Sequence, residues 1–81
     1  MLDELKTAKK VVGIKQAIKA VECGIVKKAF IAREADEKVI GRFQQYCTAN
    51  SIHIEYVDTM QDLGKACGID VGAAVAVILN D

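Results

Sequence analysis

Two lysines and a glutamine are grouped where a helix is expected to begin, and their chemistry suits a ligand that carries phosphate. Within residues 13–19, Lys15, Gln16 and Lys19 fall on one outward patch, since side chains three and four positions apart are neighbours on a helix. Lysines at the positive end of a helix dipole favour an anion, and the free amides of the first turn bind phosphate. Gln16 adds an amide that can donate to and accept from a base edge. A solvated polar face explains the same pattern about equally well.

A second candidate is the glycine-rich stretch at residues 63–72, which reads Leu-Gly-Lys-Ala-Cys-Gly-Ile-Asp-Val-Gly. Its apolar tip, Ile69-Asp70-Val71, lies between a short amphipathic helix and an apolar run, and loops held by rigid elements are common binding sites. Gly64 falls inside the predicted helix, where glycine costs about 1 kcal/mol relative to alanine. It therefore indicates that another backbone segment comes close at this point.

The elements that position these residues begin with a predicted helix at residues 2–10, which turns Leu5 and Ala8 inward. A short extended piece follows at residues 11–13. Apolar residues then recur at intervals of three and four over residues 14–23, which predicts an amphipathic helix. The first candidate patch lies at the start of this second helix.

Further along the chain, local signals predict the boundaries of the next elements. Gly24 is placed to end the second helix in a left-handed conformation, and residues 26–32 form an apolar strand candidate. Asp36 can cap the following helix, which Asn50 is placed to end. Residues 52–57 alternate between apolar and polar types, as a strand does.

The C-terminal part completes the alternation of helices and strands. Thr59 and Asp62 form a short capping box at the start of a helix, and residues 73–79 are an apolar run that favours a buried strand. The order of elements predicts a three-layer α/β/α sandwich with a mixed sheet of about four strands. We expect residues 1–81 to be a single domain.

The composition of the 81 residues is that of a globular protein, with 52% hydrophobic and 5% aromatic residues. The longest apolar run is far too short to span a membrane, so we expect a soluble, cytoplasmic protein that does not contact membranes. The net charge of zero conceals an asymmetry: residues 1–28 carry +4 and residues 29–62 carry −3. A basic face for nucleic acid explains this difference, and so does a solvated lysine face.

Enzymatic interpretations find little support. The three cysteines are Cys23, Cys47 and Cys67. No pair has the spacing of a zinc or redox site, so we expect reduced thiols that fill gaps in the core. His53 is the only histidine, and no dinucleotide or phosphate-loop fingerprint is present. Tyr46 and Tyr56 are expected to pack in the core and on the surface rather than to stack on a ligand. We therefore expect no catalytic residue, no metal and no cofactor.

The two candidate segments together resemble the ribosomal L7Ae family of kink-turn RNA binders, most closely its small bacterial YbxF-type members. The resemblance covers essentially the whole chain in length and in the order of its elements. Its specific parts are residues 13–19 followed by residues 20–24, and residues 63–68 followed by residues 69–71 and an alanine-rich strand. The second motif is the more distinctive, since the glycine placement and the following loop both agree.

The resemblance implies a role for each segment. Lys15, Gln16 and Lys19 would contact the guanines of tandem sheared G·A pairs in a sharply bent internal loop, and Gly13 would allow close approach. Gln16 lacks the charge of the glutamate that archaeal and eukaryotic members usually carry there. Residues 69–71 would pack against splayed nucleotides. Asp70 either shapes the loop by bonding its own backbone or is merely tolerated beside the RNA, and we expect the first. The expected RNA-binding residues are Gly13, Ile14, Lys15, Gln16, Lys19, Lys65, Ile69, Asp70 and Val71, supported by Lys27 and Lys28.

The implied partner is structured RNA that contains a kink-turn, such as ribosomal RNA, a riboswitch or another non-coding RNA, and the protein would act as a monomer. The ribosome itself is a candidate assembly. Two alternatives stay open. Ile69-Asp70-Val71 would also serve a protein–protein adaptor or a homodimer contact, and the glycine-rich loop would also serve an enzyme acting on a small ligand.

Overall fold

The structure is a computed structural model that describes Leu5 and residues 8–80. Most of the helix predicted at residues 2–10 therefore lies outside the described residues. Leu5 is helical and fully buried, and Ala8 packs against the same part of the core, as predicted. The predicted helix is too long at its end, because Lys10 already belongs to a strand that pairs with Ile78.

Four strands and three helices alternate along the described chain. They are β1 (Lys10–Val12), α1 (Ile14–Glu22), β2 (Val26–Ala32), α2 (Glu37–Ala49), β3 (Ile54–Val57), α3 (Met60–Ala66) and β4 (Val75–Leu79). The strands form one sheet in the order β1-β4-β2-β3. β4 runs antiparallel to both of its neighbours, whereas β2 and β3 are parallel, so the sheet is mixed as predicted.

Both faces of the sheet are covered by helices, which explains why its two central strands are almost continuously apolar. On one face, α1 and α2 pack over Ile31 and Val77 through buried residues that include Phe43. On the other face, α3 packs over Phe30 and Ile78, and Leu5 joins the same cluster. The predicted three-layer α/β/α sandwich is confirmed.

The predicted boundary signals act as expected. Gly24 has a φ of 72°, the left-handed conformation that ends α1. The Asp36 side chain accepts a hydrogen bond from the Lys38 amide at 2.8 Å and so caps α2. The Thr59 hydroxyl accepts from the Asp62 amide at 3.0 Å and caps α3. These caps fix where the helices begin at the ends of the strands.

The three cysteines divide into two environments. Cys47 and Cys67 are buried, as predicted, and burial raises the pKa of the Cys47 thiol to about 11. Burial also raises the pKa of Cys67, partly offset by the nearby Lys10 ammonium. The prediction was wrong for Cys23, which is exposed, because it lies beyond the last turn of α1 and off the inward stripe.

The directions of the strands place four of the connecting segments at one end of the sheet. Val12 at the end of β1 pairs with Ala76 near the start of β4, and Ile31 near the end of β2 pairs with Val75. The end of β3 pairs with the end of β2. We call this end, where β1, β2 and β3 finish and β4 begins, the Gly13 end. The residues that enter and leave all four strands here lie close together.

Candidate nucleic-acid interface

Gly13 makes the turn from β1 into α1 at the Gly13 end. Its φ of 104° and ψ of 149° are a conformation that side chains rarely adopt, so glycine is required there. Its amide donates to the Val75 carbonyl at 3.1 Å, and its carbonyl accepts from the Ala17 amide at 2.9 Å. No side chain caps the helix. The other amides of the first turn are therefore left for solvent or a ligand.

The side chains at the start of α1 follow the predicted division. Lys15, Gln16 and Lys19 are exposed, whereas Ile14 is half-buried and packs against the core beneath α1 and α2. Among the residues that the structure describes, neither lysine has an ion-pair partner. The result is an unpaired positive patch that begins with Lys15 in the first turn, beside the positive end of the helix dipole, and extends to Lys19 one turn later. Such a patch is favourable for an anion.

The second candidate segment is held against α3 by two glycines. A Cβ added at Gly64 would overlap the carbonyl oxygen of Val71, and one added at Gly72 would lie 3.1 Å from the Met60 Cβ. The Ile69 amide donates to the Gly64 carbonyl at 3.0 Å, and the Ala73 amide donates to the Met60 carbonyl at 2.9 Å. The close backbone approach predicted from Gly64 is confirmed. It fixes the shape of the loop that precedes β4.

The tip of this loop presents an apolar side chain to solvent. Val71 is 70% exposed, Asp70 is exposed, and Ile69 is half-buried against the core. A cleft of about 150 Å³ lies between the tip and α3. Its lining residues are Gln61, Lys65, Ile69, Asp70 and Val71. Val71 is thus an exposed apolar side chain on a loop whose backbone packs closely against α3.

Two details of the predicted loop chemistry need revision. The Asp70 carboxylate accepts no hydrogen bond from the described residues, so it does not shape the loop as expected. Glycine packing against α3 does that instead. Gln61 was missed, although it precedes Lys65 by four positions on the exposed side of α3, a spacing that places both side chains at the cleft.

The structure brings the two candidate segments to one end of the sheet but separates them from Lys27 and Lys28. The Gly13 amide donates to the carbonyl of Val75, the first residue of β4. The second segment leads into β4, so both segments lie at the Gly13 end. Lys27 and Lys28 lie at the other end of β2, and Lys28 forms an ion pair with Glu55 at 3.0 Å. Both lysines therefore lie away from the two candidate segments, which sequence spacing could not reveal because it does not show which way β2 runs.

A surface contributed by the loop after β2 was also missed. Arg33 follows β2, and its amide donates to the Val57 carbonyl at 2.7 Å. The neighbouring Glu34 carboxylate accepts from the Met60 amide at 2.8 Å, which ties this loop to the start of α3. The antiparallel pairing of β2 with β4 brings these residues to the Gly13 end, so no local sequence signal identified them.

Exposed polar and apolar side chains line both candidate segments at the Gly13 end. Among the described residues, no cluster of three or more histidine, cysteine, aspartate or glutamate residues could hold a metal ion. None of the helices in the described ranges is long and apolar enough to cross a membrane.

Comparisons with known proteins agree on the family. A profile of the ribosomal protein L7Ae/L30e/S12e/Gadd45 family matches residues 2–81. RNA-binding protein TTE2299 of Caldanaerobacter subterraneus is 48% identical over 68 residues, which cover 84% of this chain and 83% of that protein. RNA-binding protein YbxF of Geobacillus stearothermophilus is 37% identical over 76 residues, which cover 94% and 93% of the two chains.

The fold agrees as well. The solved structure of the Giardia lamblia 15.5kD RNA binding protein superimposes with a TM-score of 0.89 at 24% identity, covering 99% of this chain and 71% of that one. This similarity concerns the fold alone. The family profile spans nearly the full length, and the bacterial relatives match both in sequence and in extent. The chain therefore belongs to the ribosomal protein L7Ae/L30e/S12e/Gadd45 family.

Proposed function

We propose that this protein binds structured RNA without catalysis and stabilises kink-turns, which are sharp bends flanked by sheared G·A pairs. The observation that carries the proposal is the meeting of two surfaces at the Gly13 end. One is the uncapped start of α1 with its exposed lysines, and the other is the apolar tip at Val71. Relatives that are 37–48% identical are named RNA-binding proteins, which supports the coarser part of the proposal.

In this proposal the start of α1 reads the bent internal loop. Lys15, Gln16 and Lys19 contact guanine edges of the sheared pairs, and the free amides after Gly13 donate to a phosphate or base oxygen. The missing Cβ at Gly13 lets the RNA backbone come close. Regular A-form RNA hides its bases in a deep, narrow groove, whereas a bent internal loop opens them to side chains.

The loop at residues 69–71 has the complementary task. Ile69 and Val71 cover nucleotides that the bend has unstacked, while Lys65 offsets the charge of nearby phosphates. Because Gly64 and Gly72 lock this loop against α3, little conformational entropy is lost when RNA binds. The protein then binds the bent RNA better than the extended form and shifts an existing equilibrium toward the bend. We expect a cytoplasmic monomer that acts on ribosomal RNA, on the ribosome or on a regulatory RNA.

A protein–protein adaptor is the second candidate function, favoured by the 70% exposure of Val71. Replacing Val71 with serine distinguishes between the two functions. A surface that packs against nucleotides loses RNA affinity on this change, whereas a loop that binds another protein leaves RNA affinity unchanged.

Binding is expected to weaken steeply as salt concentration rises. If Lys15, Lys19 and Lys65 each neutralise one phosphate, the logarithm of the association constant falls against the logarithm of the salt concentration with a slope of about −2 or steeper. Isothermal titration of a kink-turn RNA at several potassium chloride concentrations measures this slope. An affinity that does not respond to ionic strength would contradict the proposal.

A further inference from the structure

At the edge of the sheet formed by β3, an arginine lies over an exposed aromatic ring. The Arg33 guanidinium carbon lies 5.5 Å from the centroid of the Tyr56 ring, which is 37% exposed. The Gln44 side-chain amide donates to the Tyr56 hydroxyl, which gives the ring a second contact at its outer end. A guanidinium over a ring is attracted to its face and keeps a defined orientation. The guanidinium is therefore held in place before any ligand arrives.

The N–H groups of Arg33 remain free for a ligand. Both acidic side chains of the same loop are engaged elsewhere: Glu34 accepts from the Met60 amide, and Asp36 accepts from the Lys38 amide. Within the described residues, no carboxylate forms an ion pair with Arg33. Contact with the ring does not require the N–H groups of the guanidinium, so they can bind two oxygens of a phosphate at once.

The position of this pair fits the proposed interface. Arg33 follows β2 at the Gly13 end, and its amide is bound to Val57 at the end of β3. β3 is two strands away from β4, a separation of about 10 Å at the usual strand spacing of about 4.8 Å. That separation corresponds to a few nucleotides along an RNA backbone, so a stem leaving the bend can extend across β2 toward β3.

We propose that Arg33, supported by the Tyr56 ring, is a third contact point that binds a backbone phosphate of the RNA stem next to the bend. The inference rests on the proposed function, since it assigns a further part of the same RNA surface. The contact is independent of sequence: it positions the stem and adds affinity, while the start of α1 reads the bases.

Arginine and lysine variants test this contact. Arg33→Ala is expected to bind a kink-turn RNA several-fold more weakly and to reduce the magnitude of the salt slope by about 1, because one phosphate contact is lost. Arg33→Lys keeps the charge but loses the planar two-point bond, so it should recover the slope and only part of the affinity. The preference for RNA with G·A pairs over RNA without them should stay the same in both variants.

Two further variants complete the design. Lys27→Ala removes the same charge at the opposite end of the sheet and should bind like the unmodified protein. Tyr56→Leu keeps an apolar side chain on β3 but removes the ring, so it should weaken binding in the same direction as Arg33→Ala and to a smaller extent. Circular dichroism at the assay temperature confirms that each variant is folded.

The outcomes separate this inference from the proposed function. If the unmodified protein prefers kink-turn RNA but Arg33→Ala retains its affinity and salt slope, the third contact is wrong. Equal losses in Arg33→Ala and Lys27→Ala would also overturn it, because the effect would then be one of overall charge. Binding that ignores the G·A pairs in the unmodified protein would instead contradict the proposed function.

Discussion

Replacement of Gly64 with alanine is expected to lower the free energy of unfolding by about 1–3 kcal/mol, the usual cost of overpacking a close contact. The added Cβ would overlap the Val71 carbonyl oxygen and would lie 3.3 Å from the Gly72 Cα, both of them backbone atoms that cannot rotate away. The loop must therefore move off α3. Because Ile69 and Val71 move with it, RNA affinity should fall by more than the fraction of unfolded protein explains.

Gly41 provides a matched control for this substitution. It also lies within a helix, but a Cβ added there meets no atom within 4 Å. Gly41→Ala should therefore leave RNA binding unchanged and raise stability by up to about 1 kcal/mol, the helix preference of alanine over glycine. Urea unfolding of the two variants measures the difference. A Gly64→Ala protein as stable as Gly41→Ala would show that the loop is not locked by backbone contact.

Replacement of Lys19 with alanine is expected to weaken binding to a kink-turn RNA by about 1–3 kcal/mol, the range for a side chain that reads a base edge. Lys19 is exposed, lies one turn from the uncapped start of α1 and has no ion-pair partner in the described part of the chain. Its removal should therefore leave the fold intact while it removes a contact. Titration calorimetry against one RNA measures the change directly.

A double-mutant cycle decides whether Lys19 reads bases or only attracts phosphate. If Lys19 contacts a guanine of the sheared pairs, its loss should cost little when the RNA already lacks those pairs, because the interaction is absent from both sides of the comparison. Lys27→Ala supplies the control for charge alone. A Lys19→Ala penalty of the same size with both RNAs would assign Lys19 to the phosphate backbone instead.

Local signals predicted the helices and strands well, because a helix cap or an alternating strand pattern depends on only a few adjacent residues. β2 spans the predicted residues 26–32, and Gly24 and Asp36 end and begin helices as expected. The start of α1 was equally accessible to prediction. Its exposed lysines follow from helical spacing alone, whereas Gly13, which was predicted to belong to the extended piece, makes the turn into α1.

Features that depend on strand order and direction could not be predicted in this way. Lys27 and Lys28 belong to the most basic part of the sequence, yet β2 carries them away from the Gly13 end. Arg33 and Tyr56 are 23 positions apart and meet only because β2 and β3 are parallel neighbours in a fixed register. Such contacts result from the pairing of distant strands, which periodicity does not encode.

The central claim is that the protein recognises the sheared G·A pairs of a kink-turn rather than RNA in general. A gel-shift titration at fixed salt compares one kink-turn RNA with the same RNA in which only those pairs are replaced by Watson–Crick pairs. Replacing the pairs is expected to weaken binding by at least about tenfold, since several base-edge contacts worth about 1–3 kcal/mol each are lost together. Equal affinity for the two RNAs would contradict this claim.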